Sequence, residues 1–124
     1  ADVFPERIAS VKRSLDEQFP DRMDVPDDRT FIGFDAYKQV IELSDVVCIA
    51  NGAKFHPLHS LAAIQAGRHV FVEKPMATTM ADCLRIVDAQ RSAQRVVRVG
   101  YNRRFAPYLQ AMKQSIGAGK KLFN

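Results

Sequence analysis

Three mainly apolar segments, separated by segments of helical period, constrain the fold of this chain more than any other feature. They read DVVCIA, HVFVE and VVRVG and occupy residues 45–50, 69–73 and 96–100. The first is a continuous apolar run, which is typical of a parallel strand that is covered on both faces. Because helical segments of roughly 10 to 15 residues alternate with them, the sequence predicts βαβ units and an α/β fold with a doubly wound parallel sheet.

The helical segments carry recognisable start and stop signals. Pro5 suits a first helical turn, Asp35 is placed to cap a short helix, and Gly67 is placed to end the helix before it. Thr79 and Asp82 resemble a capping box. Helices are therefore predicted over residues 4–19, 36–43, 57–66, 79–94 and 105–116, with ADV at the start and FIGF at residues 31–34 as short strand segments.

Apolar spacing within these helices predicts which faces are buried. One expected face of the first helix consists of Phe4, Ile8, Val11, Leu15 and Phe19. In the helix before Gly67 the residues in register are Leu58, Leu61, Ala62 and Gln65, and the stripe predicted for residues 79–94 consists of Met80, Cys83, Leu84 and Val87.

Composition excludes several classes of protein. A hydrophobic fraction of 47% with 26% charged residues indicates ordinary globular material, and no apolar run approaches the roughly 20 residues of a membrane helix. The net charge is +4, and part of the positive charge comes from a cluster of arginines between residues 91 and 104. No nucleic-acid-binding motif accompanies this cluster, so a solvated surface is the expected interpretation. Cys48 and Cys83 predict two reduced, buried thiols in a cytoplasmic protein, with no metal site.

Polar residues follow each of the three apolar runs. In parallel α/β sheets, ligands bind beyond the carboxyl ends of the strands. The segment that follows HVFV, namely Glu73, Lys74 and Pro75, therefore lies where a ligand is expected.

The segment AAIQAGRHVFVEKPMA resembles the signature of the Gfo/Idh/MocA oxidoreductases, the glucose–fructose oxidoreductase and inositol dehydrogenase family. The later segment VGYNRRF and the initial ADVFPER resemble two further segments of that family, in the same order. The resemblance implies a Rossmann-like domain that binds NAD or NADP, and an enzyme that moves a hydride between nicotinamide and a sugar, inositol or related polyol.

The resemblance also implies that residues 1–124 are part of one dinucleotide-binding domain. The Gly-rich phosphate turn and first strand of the family, and its second, substrate-binding and oligomer-forming domain, have no counterpart in this sequence. In the usual strand order that first strand lies between ADV and DVVCIA, so without it their backbone groups are unpaired. We therefore expect a fragment that is inactive alone, from a parent that is a homo-oligomer.

Lys74 is the candidate catalytic residue. By the resemblance, its ammonium contacts the reacting hydroxyl or carbonyl of the substrate and stabilises negative charge on oxygen; otherwise it is a solvated charge after a strand. Glu73 either hydrogen-bonds cofactor or backbone, or is structural. Pro75 fixes the turn, and whether its peptide bond is cis is left open. By the resemblance, Glu73, Lys74 and Pro75 are also candidate cofactor contacts.

Four other residues are candidate cofactor contacts. Asp2 is expected to accept hydrogen bonds from the adenosine ribose, which favours NAD over NADP, although the nearby Arg7 blurs that preference. Asn51 and Gly52 occupy the loop where the family commonly has Thr-Pro. His59 resembles the family's histidine at the start of the next helix, or is a packed histidine, while His56 and His69 are interpreted as structural.

Tyr101, Asn102, Arg103 and Arg104 form the loop after VVRVG. The resemblance places Tyr101 and Asn102 near the nicotinamide and the two arginines near the substrate hydroxyls. The arginines could instead brace the loop by bonding carbonyl or carboxylate oxygens.

Two other functions remain open. The altered loop at Asn51 favours a non-catalytic, nucleotide-sensing or scaffolding relative, because Rossmann-like domains host many functions. The basic residues favour nucleic-acid binding only weakly.

Overall fold

The computed structural model describes residues 1–117, so residues 118–124 of the predicted domain lie outside the described part. Its centre is a three-stranded parallel sheet in the order β1-β2-β3. The strands are β1 (Val46–Ile49), β2 (His69–Glu73) and β3 (Val97–Gly100). In register, Val47 is paired with Val70 and Val72 with Val99. The predicted α/β class and parallel sheet are confirmed.

The described part of the chain contains five α-helices. Their bounds are α1 (Pro5–Gln18), α2 (Ala36–Leu43), α3 (His56–Gln65), α4 (Met80–Ala93) and α5 (Pro107–Ile116). Short 3-10 turns occupy Pro20–Arg22, Asp27–Arg29, Ala53–Phe55 and Asn102–Phe105. Each predicted helix is present, with ends that differ by at most two residues.

Local sequence explains most helix ends. Thr79 starts α4 because its Oγ1 accepts a hydrogen bond from the Asp82 amide at 3.1 Å and donates one to the Asp82 carboxylate at 2.8 Å. Gly67 ends α3 with φ +75°, a conformation that glycine adopts without strain. Asp35 occupies the cap position of α2 but makes no capping bond. Its carboxylate forms an ion pair with the Lys38 ammonium at 2.7 Å instead. Asp35 is therefore at the predicted position, but the predicted capping hydrogen bond is absent.

The core lies between one face of the sheet and the two helices α3 and α4. Val47 and Ile49 of β1 and Val72 of β2 present their side chains to it, together with Ile64 of α3 and Ile86 of α4. Ile64, Val72 and Ile86 are at most 1% exposed. Burial of such side chains stabilises the fold by about 1.5–3 kcal/mol each.

Coverage of the sheet on both faces is not found in residues 1–117. Burial alternates along β1, with Val46 and Cys48 exposed and Val47 and Ile49 buried. The prediction that Cys48 is a buried thiol is therefore wrong, while Cys83 is half-buried. Both thiols are free, as predicted.

The predicted helix faces are only partly right. Helix α1 buries no residue, and Val11 is 57% exposed. In α3 the buried residues are His56, Pro57, Ser60, Ala63 and Ile64, and in α4 the buried residue is Ile86. In α4, Cys83 of the predicted stripe packs against the core. Met80 and Leu84 are exposed, because the buried face of the helix is centred on Ile86 instead.

The two predicted short strands near residues 2 and 32 pair only with each other. Asp2 and Ile32 form one parallel bridge, in which the Asp2 amide donates to Phe31 O and the Gly33 amide donates to Asp2 O. FIGF does not form a longer strand. None of the helices in residues 1–117 has the length and hydrophobicity needed to span a membrane.

Candidate functional site

The candidate site lies where the three strands end. Because the strands are parallel, the loops that follow β1, β2 and β3 emerge at the same edge of the sheet. These loops begin with Asn51, Lys74 and Tyr101. The predicted residues therefore occupy neighbouring loops at one edge, although they are distant in sequence.

A cleft of about 860 Å³ separates β1 from the Asp2–Ile32 bridge. Its lining includes four predicted cofactor contacts, namely Asp2, Asn51, Gly52 and His59. The remaining predicted residues do not line it: Glu73, Lys74, Pro75, Tyr101, Asn102, Arg103 and Arg104. The structure thus divides the candidate residues into a cleft group and a loop group.

Asp2 belongs to the cleft group and lines the cleft near the start of the chain. Its Oδ1 accepts a hydrogen bond from the Phe4 amide at 3.0 Å, which fixes the carboxylate at the entry of α1. Its Oδ2 has no partner among residues 1–117. Arg7 lies with its guanidinium 5.0 Å from the centre of the Phe4 ring. One carboxylate oxygen therefore remains available to a hydroxyl donor.

Asn51 and His59 are joined directly. Asn51 Nδ2 lies 2.9 Å from His59 Nδ1, and the His59 ring stacks on Tyr37 at a centroid distance of 4.3 Å. Burial, and secondarily the nearby His56, lowers the pKa of His59 below its ordinary value of 6.5. His59 is therefore neutral at pH 7, with Nδ1 accepting the amide proton and Nε2 carrying its own proton.

Lys74 follows β2 directly and is exposed. Its ammonium forms no hydrogen bond or ion pair within residues 1–117. Glu73 is half-buried, and its Oε2 accepts a hydrogen bond from the Lys74 amide at 3.3 Å. The Lys74–Pro75 peptide bond is cis.

The third loop carries the two arginines. Tyr101 is 55% exposed, and the Arg104 guanidinium lies 5.8 Å from the centre of its ring. Neither Arg103 nor Arg104 donates a side-chain hydrogen bond to another residue in the described part of the chain. No hydrogen bond in that part of the chain therefore supports a bracing role for these arginines. Asn102 begins the 3-10 turn that contains both of them.

The sequence interpretation missed one residue that joins the two groups. His56 is 1% exposed, and its Nδ1 lies 2.7 Å from Pro75 O while its Nε2 lies 2.9 Å from Asn51 O. The first residue of α3 is His56, whereas the histidine assigned to the helix start was His59. Its position directly before Pro57, which suits a first helical turn, was the available signal.

The described residues offer no group of three metal-ligating side chains. Parallel strands, crossover helices and a polar edge with an acidic residue at the mouth of a cleft define a dinucleotide-binding domain of the Rossmann class. The chain belongs to the family described as "Oxidoreductase family, NAD-binding Rossmann fold", whose model matches residues 6–101.

Relatives agree with this assignment. The chain is 40% identical over 119 residues to an inositol 2-dehydrogenase of Acidothermus cellulolyticus, covering 95% of this chain and 32% of that protein. It is 37% identical to an inositol 2-dehydrogenase/D-chiro-inositol 3-dehydrogenase of Halalkalibacterium halodurans, covering 73% and 24%. The chain thus spans a third or less of the length of these curated relatives.

Solved structures give the same fold. An aldose-aldose oxidoreductase from Caulobacter crescentus, complexed with glycerol, has a TM-score of 0.69 and 27% identity, covering 93% of this chain and 32% of that one. A myo-inositol 2-dehydrogenase from Lactobacillus plantarum has a TM-score of 0.59 and 25% identity, covering 64% and 24%.

Proposed function

We propose that this chain belongs to an NAD(P)-dependent dehydrogenase that acts on a CH–OH group of inositol or a related polyol or sugar. The observation that carries the proposal is the edge at which the Asn51 and Lys74 loops lie side by side, joined through His56. The inositol dehydrogenases among the relatives support the substrate class.

The residues present fit a dinucleotide in two places. Asp2 offers a free carboxylate oxygen to ribose hydroxyls, and its charge disfavours a 2′-phosphate, which is why we propose NAD rather than NADP. Asn51 and Gly52, with the neutral His59, face the same cleft. When bound, the nicotinamide accepts or gives the hydride.

Lys74 has the role of holding the substrate oxygen. Its ammonium donates a hydrogen bond to the alcohol or carbonyl oxygen and stabilises negative charge there. The exposed position without an internal ion pair leaves its protons available to a substrate. Glu73, Pro75, Tyr101 and Asn102 shape the cofactor side of these loops, and Arg103 and Arg104 donate to further substrate hydroxyls.

We also propose that residues 1–124 form part of a dinucleotide-binding domain that is completed by an added β-strand. Within the described residues β1 has a neighbour on one side only, and a cleft lined by Val47, Ile49 and Asp2 lies on its other side. The part of the cleft between Val47–Ile49 and Asp2 has the position of that strand, and the end of the cleft at Asn51 and Gly52 is left to the dinucleotide. A reading frame without a strand and glycine-rich turn outside this sequence contradicts the proposal.

A second domain and a homo-oligomer belong to the same proposal. The apolar side chains of Phe105, Tyr108 and Met112 are each more than half exposed, and such a domain would cover them. Light scattering of the full-length protein measures the oligomeric state, and a monomer contradicts this part. The free thiols favour a cytoplasmic location, which cell fractionation checks.

The decisive experiment uses the full-length protein with a panel of polyols and both dinucleotides. Reduction of NAD with an inositol is the expected result. Tight binding of NADH without turnover on any polyol would favour the non-catalytic alternative, for which the unusual Asn51 loop is the supporting observation.

A further inference from the structure

His56 is the point where the two groups of candidate residues meet. It begins α3, yet its ring extends to two backbone carbonyls, one in the loop after β1 and one in the loop after β2. The partner in the second loop, Pro75, directly follows Lys74. The ring therefore links the cleft at Asn51 to the segment that carries the candidate catalytic lysine.

The two contacts determine how many protons the ring carries. A carbonyl oxygen accepts hydrogen bonds and cannot donate them, so each ring nitrogen must supply an N–H. The distances of 2.7 Å and 2.9 Å are those of true hydrogen bonds. A neutral imidazole has one N–H only, and would set the lone pair of its other nitrogen against a carbonyl oxygen.

Burial makes this requirement strict. His56 is 1% exposed, so water cannot satisfy an unpaired nitrogen or carbonyl there. The positive end of α3 opposes a charge at its first residue, but this effect is weaker than the loss of a buried, charge-assisted hydrogen bond.

We propose that His56 is a doubly protonated positioning residue that binds the carbonyls of Asn51 and Pro75 and thereby fixes Lys74 relative to the cofactor cleft. The positioning role rests on the proposed function, whereas the two hydrogen bonds do not.

His69 provides an internal reference for the first test. Its Nδ1 accepts a hydrogen bond from the Val96 amide at 3.0 Å, so that nitrogen carries a lone pair. Heteronuclear NMR of the full-length protein with nitrogen-labelled histidine, at neutral pH, should show two bound protons on His56. Couplings through the hydrogen bonds should connect them to the carbonyls of Asn51 and Pro75. A His56 ring with a single proton overturns the proposal.

The second test is kinetic and uses His56→Gln, with His69→Gln as the matched control. Because Gln cannot bind both carbonyls in the same way, kcat with the polyol should fall roughly ten- to a hundredfold, while the Kd for NADH, measured by fluorescence, changes little. Folded His56→Gln protein with unchanged kcat, or with losses confined to NADH affinity, overturns the positioning role.

The two tests separate failure of this inference from failure of the proposed function. If the unsubstituted protein has no dehydrogenase activity, the proposed function fails, and NMR still decides the two hydrogen bonds. If His56→Gln does not fold, the NMR measurement on the unsubstituted protein decides the inference alone.

Discussion

The carboxylate of Glu73 lies over Gly100, its partner across strands β2 and β3. A Cβ atom built on Gly100 would lie 3.0 Å from Glu73 Oε1 and 3.1 Å from the ring of Phe71. Close approach of these side chains, rather than a positive φ, therefore favours glycine at the end of β3. The half-buried side chain of Glu73 thus packs against the end of β3. This contact favours a structural role for Glu73 next to the turn that contains Lys74.

Gly100→Ala should displace Glu73 or Phe71 and lower the free energy of unfolding by about 1–3 kcal/mol, the usual cost of overpacking. Urea unfolding of the full-length protein measures this change. Gly52→Ala is the matched control, because a Cβ there meets no atom closer than 3.8 Å. Equal stabilities of the two variants would show that the sheet edge has room for a methyl group.

Thr79→Ala should destabilise the protein by about 1 kcal/mol, because the first turn of α4 loses its side-chain cap. The neighbouring Thr78 is exposed and makes no side-chain hydrogen bond in the described part of the chain, so Thr78→Ala is a close control. Thermal or urea unfolding compares the two. A larger loss in the Thr78 variant contradicts the capping geometry.

Acidification should weaken the fold partly through His59. The pKa of this residue is lowered in the fold, mainly by burial, so the unfolded chain takes up a proton near pH 6.5 before the folded chain does. The stabilisation that comes from His59 is thus present above pH 6.5 and is lost as the pH falls through the pKa of His59 in the folded protein. His59→Gln should reduce the difference in unfolding free energy between mildly alkaline and mildly acidic solution. If the unsubstituted protein and the His59→Gln variant lose the same unfolding free energy on acidification, His59 is not the source of that loss.

Lys74→Ala should lower kcat roughly a hundred- to a thousandfold, as expected for loss of a donor that stabilises negative charge on the reacting oxygen. Binding of NADH should change little, because Lys74 does not line the cleft. Lys113→Ala on α5 is the control for removing a surface lysine. Undiminished turnover in the Lys74→Ala variant would show that Lys74 is not a catalytic residue.

Asp2→Asn should raise the use of NADP relative to NAD roughly tenfold, because a carboxylate no longer repels the 2′-phosphate. The amide oxygen can still accept the hydrogen bond from Phe4 N, so the entry to α1 is preserved. The ratio of kcat/KM for the two dinucleotides is the quantity to measure. An unchanged ratio means that another residue, such as Arg7, sets the preference.

The order of the five helices and of the three paired strands, the parallel sheet and the family could all be predicted from the amino-acid sequence. These depend on short-range periodicity, on caps such as Thr79 and on the Glu73–Pro75 motif, all of which are local. The exposed face of β1, the rotation of α4 and the absence of buried residues in α1 were decided by tertiary structure, because a period identifies an apolar face but not the element that covers it.

The same distinction holds for the site. The residues at the strand ends were predicted because parallel strands bring their carboxyl ends to one edge. The bond from His56 to Pro75 joins residues that are 19 positions apart, and the contact of Glu73 with Gly100 depends on strand register. Both are set by packing between distant segments, which leaves no periodic trace in the amino-acid order.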